Sequence, residues 1–264
     1  MPLPDAIICG FPKCGTSRLS KSLSIVTNYF DNNGLGEEQF FTNWDMSENQ
    51  LNSYMMNFRE NCVNLSKDGA YVFFCGFMKK IRYVVDKYKK NIKIILCIRN
   101  PIQAYMSYVN HNKEHSSFDV NKGEYFANMK FFYYDYPFYI RNNVLSLFDT
   151  TNIYFVIQER LKNDFEKEFS KVLRFLGLQY DKSVNYLNDD NILTKKYHEN
   201  ISVKHDEFLR YNTLHLKYWI NEFNEFLKNL LNICEPIIHN TKNILNDPLE
   251  EWDEITNYYK GMIK

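Results

Sequence analysis

An excess of charge of either sign is missing from this chain: 32 lysines and arginines are balanced by 32 aspartates and glutamates. The balance excludes a global field that would draw the protein onto nucleic acid or an anionic membrane, so any polyanion must be met by a local patch. Paired cysteines are missing too. Cys9, Cys14, Cys62, Cys75, Cys97 and Cys234 form no CxxC motif, and Cys9, Cys75 and Cys97 sit inside apolar runs. That pattern argues against a disulfide framework and for free thiols in a reducing compartment. No stretch of about 18 apolar residues offers a bilayer span. No charged-then-apolar leader precedes the first strand, and the expected location is cytoplasmic. Repeats, low-complexity linkers and charge blocks are also lacking. The 264 residues, 45% of them hydrophobic, suffice for one substantial core and fall short of two. Residues 1–231 are read as one domain, and residues 232–264, poor in apolar positions, as a C-terminal helical extension.

What is present alternates between two periodicities. Asp5 to Gly10 is a short apolar run bounded by turn residues, and Thr16 to Val26 carries apolar positions at helical spacing, so the chain opens as strand, loop, helix. Asn91 to Ile98 is a β-branched run ending in Arg99-Asn100-Pro101, with the proline where a helix accepts its first residue. Asn152 to Ile157 is a third strand, followed by an amphipathic helix around Phe165 to Leu176 that Gly177 stops. Phe208 to Asn232 reads as a further helix with an apolar stripe. Strands alternating with helices predict an α/β fold, a parallel sheet of about four or five strands with helices on both faces.

The chemistry concentrates at the first turn. A strand that ends in a glycine-bearing turn and opens a helix aims unpaired backbone N–H groups and the positive end of the helix dipole at one point, which is an anion site. Lys13 adds a full charge, Gly15 permits close approach, and the hydroxyls of Thr16 and Ser17 stand in the first helical turn. The spacing Gly10-x4-Gly15 approaches that of the P-loop of nucleotide triphosphatases, but Thr16 occupies the position of its lysine, and the lysine has moved back to 13. A plain glycine-bearing turn with a hydroxyl N-cap fits the same residues.

A second element separates these readings. Pro12-Lys13-Cys14-Gly15-Thr16-Ser17 resembles the 5′-phosphosulfate loop of sulfotransferases that use 3′-phosphoadenosine 5′-phosphosulfate (PAPS). Cys97-Ile-Arg-Asn-Pro-Ile-Gln-Ala-Tyr-Met-Ser107 is similar to that family's 3′-phosphate element, an arginine at a strand end followed eight residues later by a helical serine. Arg99 offers a planar fork of donors suited to a terminal phosphate, and Ser107 a hydroxyl two helical turns on. The likeness continues through Tyr154 to Leu161, Arg174 to Leu178 and Tyr218 to Leu231, covering residues 5–231. It implies a P-loop-like three-layer fold, PAPS as donor, adenosine 3′,5′-bisphosphate as product, and an acceptor hydroxyl or amine attacking in line. No metal is required if lysines supply the positive charge.

The remaining site residues come from the same resemblance. Gly36-Glu-Glu-Gln-Phe-Phe41 looks like the Lys/Glu-Glu-x-His/Gln-Phe-Phe stretch of heparan sulfate sulfotransferases; aligned on Gln39-Phe40-Phe41, the resemblance puts the acceptor-deprotonating carboxylate on Glu37 and Glu38 in the variable place. A positioned base of this kind is worth about a hundred to ten-thousandfold in rate. Lys67-Asp-Gly-Ala-Tyr71 stands where the family has Lys-Ser-x-x-Tyr, so Lys67 would reach the sulfonate from the side opposite Lys13. Asp68-Gly69 departs from that pattern, and a surface lysine in a turn is the rival reading. His111 and His115 follow Ser107 at four and eight residues, as in N-sulfotransferase domains, which places His111 near the acceptor. Lys195 and Lys196 fall near the family's basic loop over the 3′-phosphate, without its Lys-Gly-Arg pattern. The carboxylate and histidine elements point to a carbohydrate or other small alcohol as acceptor. The alternatives are a P-loop small-molecule kinase and a nucleotide-binding module that kept the fold and lost catalysis.

Overall fold

Three apolar runs build one side of the sheet. The computed structural model describes residues 2–30, 40–42, 46–73, 75–99, 104, 107 and 139–186. Strands β1 (Ala6–Gly10), β4 (Lys93–Ile98) and β5 (Ile153–Ile157) are buried along nearly their whole length. Such continuous runs suit parallel strands covered on both faces, where alternation with polar residues would be penalised. Two further strands, β2 (Asn28–Tyr29) and β3 (Asn64–Lys67), complete a parallel sheet of order β2-β3-β1-β4-β5. The predicted α/β class with a central parallel sheet flanked by helices is the observed one.

β3 is the element that the apolar pattern does not announce. Its sequence, Asn-Leu-Ser-Lys, is polar at three of four positions, yet every residue is buried. Satisfaction of the polar groups makes this possible. The Asn64 amide donates to Asp5 Oδ2 and to the carbonyls of Arg59 and Cys62, while its Oδ1 accepts from Asn28 Nδ2 and Arg59 N–H. Ile8 pairs in register with Lys67, so the strand delivers that lysine beside β1.

Helices α1 (Thr16–Leu23), α2 (Glu48–Met55), α3 (Cys75–Tyr88), α4 (Gln158–Asn163) and α5 (Phe165–Leu176) follow strands or loops in turn. The chain moves one way across the sheet from β1 to β2 and the other way from β2 to β3 and β3 to β4. Right-handed crossovers therefore put α1 on one face and α2 and α3 on the other. Contacts agree: Arg18 of α1 lies over the Phe165 ring of α5 at 5.6 Å, and Lys87 of α3 pairs with Glu48 of α2 at 2.6 Å. Local signals set the ends. Ser47 and Gln50 form a capping box on α2, and Asp164 caps α5. Gly177, at φ 82°, closes α5 with bonds from its own N–H to the Arg174 carbonyl and from Leu178 N–H to the Leu173 carbonyl. No helix among the described residues is long and apolar enough to cross a membrane.

Candidate active site at the carboxyl ends of the strands

In a parallel sheet all strands end at one edge, and a cleft opens where connections from neighbouring strands leave in opposite directions. Here that point lies between β1, whose chain goes on to β2 at one border, and β4, whose chain goes on to β5 at the other. Both predicted phosphate elements sit there.

The first is the loop 11–15. β1 ends at Gly10, where an added methyl group would lie 2.5 Å from the Cys97 carbonyl oxygen and 3.2 Å from Thr16 Cγ2, so only glycine permits the close packing of strand, neighbour and helix. Cys14 N–H donates to the Phe11 carbonyl at 3.2 Å and tightens the turn. Lys13 and Gly15 both adopt positive φ, 63° and 87°. Gly15 is the N-cap of α1 and offers no side-chain cap, and the first turn of the helix carries no acidic residue. The arrangement leaves the helix end electropositive. Cys14 points its thiol inward, 1% exposed and 3.8 Å from the Pro12 carbonyl, so it contributes backbone alone to the surface of the loop; Thr16 is half-buried and Ser17 exposed.

The second element joins the first directly. Arg99 leaves β4 and its Nη1 donates to the Lys13 carbonyl at 3.1 Å, while its Nε is buried with no hydrogen-bond partner among the described residues. Ala104 and Ser107 are helical, the alanine fully buried and the serine half-buried.

Lys67 is where the surface-turn reading fails. It is the last residue of β3 and 0% exposed, and its Nζ donates to Ser17 Oγ at 3.0 Å. The register of β3 on β1, with Asp68 N–H bonded to the Ile8 carbonyl at 3.1 Å, carries the lysine under the helix end. Its charge is felt by the Cys97 thiol. Burial above all, then Cys14 and Cys9, push that thiol well up, and Lys67 opposes them. Cys9 is raised as well, by burial and then by the Asp68 carboxylate.

Glu37, His111, Lys195 and Lys196 lie outside the described residues. Phe40–Thr42, just after the glutamate pair, form a 3₁₀ turn. Its Phe41 is buried between Tyr54 and Tyr71, its N–H donates to Tyr71 Oη at 3.3 Å, and its carbonyl accepts from Lys80 Nζ at 3.4 Å. One residue that the sequence reading passed over also reaches the loop. Gln158 follows β5 immediately and its amide lies against Gly15. The available signal was positional, since the residue after a strand end in a parallel sheet stands at the ligand edge.

Comparison with known proteins fits this layout. A sulfotransferase from Alicyclobacillus acidocaldarius superposes with a TM-score of 0.59 at 17% identity, over 88% of this chain and 97% of that one. The sulfotransferase domain from the curacin biosynthetic pathway does so with a TM-score of 0.53 at 13% identity, over 75% and 82%. At these identities the likeness is one of fold. Among curated proteins none matches. The sulfotransferase domain family itself matches residues 3–242, and by that match the chain belongs to the sulfotransferase family.

Proposed function

We propose that the protein moves the sulfonate of PAPS to a hydroxyl or amine of an acceptor, a carbohydrate or another small alcohol, and releases adenosine 3′,5′-bisphosphate. The observation that carries this reading is the meeting of the two corners, Arg99 Nη1 on the Lys13 carbonyl at 3.1 Å. Corners held this close can take the two ends of one doubly phosphorylated nucleotide. Lys13, Gly15, Thr16 and Ser17, with the backbone of Pro12 and Cys14, bind the 5′-phosphosulfate. Arg99 and Ser107 bind the 3′-phosphate, with Lys195 and Lys196 as further candidate cations for it.

In the transfer, the bond from sulfur to the 5′-phosphate oxygen breaks as a bond from sulfur to the acceptor atom forms. The acceptor's proton passes to Glu37. Negative charge grows on the departing phosphate oxygen, and Lys13 and Lys67 stabilise it; a fixed cation in a water-poor site is worth more there than in solution. His111 hydrogen-bonds the acceptor. The Glu-Glu-Gln-Phe-Phe stretch supports a carbohydrate acceptor, as in the heparan sulfate enzymes that it resembles.

The test begins with thermal shifts in adenosine 3′,5′-bisphosphate and in Mg-ATP, then follows labelled sulfonate from PAPS into a library of saccharides and simple alcohols. Stabilisation by the bisphosphate and transfer to a member of the library are expected. Stabilisation by ATP alone would make the protein a kinase, and stabilisation by the bisphosphate without any transfer would make it a binding module.

A further inference from the structure

The loop 11–15 contains two residues in the left-handed region, Lys13 at φ 63° and Gly15 at φ 87°. For lysine that conformation is strained and persists only where neighbours over-determine it. For glycine it is open but unspecified, since glycine visits both signs of φ with similar ease. A loop built so needs external restraint to hold its N–H groups in one arrangement.

Two such restraints come from the next two strands. Arg99, at the end of β4, fixes the carbonyl of Lys13. Gln158, at the end of β5, covers Gly15: a methyl group at position 15 would lie 1.9 Å from Gln158 Oε1, 2.5 Å from Cδ and 3.0 Å from Nε2. The whole amide therefore fills the space that a side chain at 15 would occupy. Its Oε1 is buried and has no hydrogen-bond partner among the described residues. A buried acceptor left unpaired is a cost to folding, so Gln158 is not explained as a stabilising polar contact. Contact of shape with the loop is what remains.

We infer that Gln158 is a positioning residue for the donor loop: its side chain packs over Gly15 and holds the turn 13–15 in the anion-binding arrangement before the donor arrives. Preorganisation of this kind raises affinity by removing the ordering cost from the binding step. The inference deepens the PAPS reading and rests on it for the identity of the ligand, though not for the ordering of the loop.

The experiment compares the full chain with Gln158→Ala and Gln158→Met by two readouts. Amide hydrogen exchange of the peptide spanning 11–18 in the unliganded protein reports loop order, and calorimetric titration with adenosine 3′,5′-bisphosphate reports affinity. Gln158→Ala is expected to speed exchange in that peptide alone and weaken binding by about five- to twentyfold, with the unliganded melting temperature held within about 2 °C. Gln158→Met, which keeps the volume over Gly15 and discards the amide, is expected to stay within about twofold of the parent in both. Unchanged exchange in Gln158→Ala overturns the inference. Loss in Gln158→Met equal to that in Gln158→Ala overturns it too, since the amide would then act on the ligand directly. If the parent protein ignores the bisphosphate, the PAPS reading fails while the exchange data still decide the role of Gln158.

Discussion

Replacing Lys67 by methionine is expected to move stability and donor affinity in opposite directions. The lysine is 0% exposed at the end of β3, and its ammonium donates to Ser17 Oγ at 3.0 Å. Keeping a charge in such a place costs several kcal/mol of desolvation, and a hydrophobic side chain of similar volume is often neutral or stabilising where no buried ion partner is left behind. Ser17 is solvent-exposed, so its hydroxyl recovers a water partner when the lysine is gone. The unliganded Lys67→Met protein should therefore melt at or above the parent temperature, by about 2–4 °C for each kcal/mol gained. Binding should fall. A hydrogen bond to a charged group contributes about 1.5–3 kcal/mol, which corresponds to about a ten- to 150-fold rise in Kd for adenosine 3′,5′-bisphosphate. Differential scanning calorimetry and titration calorimetry on the same preparation measure both quantities. A variant that melts several degrees lower and binds the bisphosphate as the parent does would refute the reasoning and leave Lys67 a structural lysine.

Gly10→Ala should cost about 1–3 kcal/mol by overpacking, because its methyl group meets the Cys97 carbonyl oxygen at 2.5 Å, whereas Gly76→Ala, with nothing within 4 Å, should cost nothing in the same urea titration. Glu37→Gln should leave bisphosphate binding within twofold and lower turnover by about a hundred to ten-thousandfold, read from labelled sulfonate release; unchanged turnover would move the base to Glu38 or His111. Exposed Cys62 should be alkylated rapidly in the native protein, with Cys9, Cys14 and Cys97 protected until it unfolds, as peptide mass mapping will report. The raised thiols also set a pH dependence. Cys9 and Cys97 keep their protons in the folded chain, while the unfolded chain loses them above the ordinary thiol value of 9.0. The unfolded state then binds fewer protons, so stability falls as pH rises past 9, by up to about 1.4 kcal/mol per unit for each thiol; a urea midpoint that holds steady between pH 8 and 10 would contradict the assignment.

The strands that could be read in advance are those whose burial is purely hydrophobic. Ala6–Gly10, Lys93–Ile98 and Ile153–Ile157 are buried on both faces of the sheet, so their sequences carry apolar runs and little else. β3 escapes the same reading because Asn64 and Lys67 are buried with hydrogen bonds to Asp5, Asn28 and Ser17, partners that no local window contains. β2, two residues long, is too short for any period to show. The candidate site divides in a similar way. Lys13, Gly15 and Arg99 sit next to recognisable strand ends and are residue types suited to a phosphate, which is what singles them out; Gln158 also follows a strand end, but its amide lies against a glycine 143 positions away and a neutral side chain announces no ligand chemistry.

The register of the sheet turns those scattered residues into one edge. Neighbouring parallel strands lie about 4.8 Å apart, so the ends of β3, β1, β4 and β5 span about 14 Å. Lys67, the loop 11–15, Arg99 and Gln158 occur along that edge in the order of the strands, not of the sequence. The loop of the inner strand β1 is touched from both flanks, by Lys67 through Ser17 and by Arg99 through the Lys13 carbonyl. Both contacts bring a cation to a loop that already holds the positive end of α1, so a multiply charged anion bound there would meet several positive groups at once. A sheet edge assembled on those terms should gain stability from the bisphosphate steeply at low ionic strength and weakly at high. The rise in melting temperature at a fixed excess of ligand should shrink severalfold between 20 mM and 500 mM salt, taken as about a fourfold to fivefold shortening of the Debye length. A salt-independent rise would mean that the ligand is held by its base and sugar, with the cations of this edge serving the fold alone.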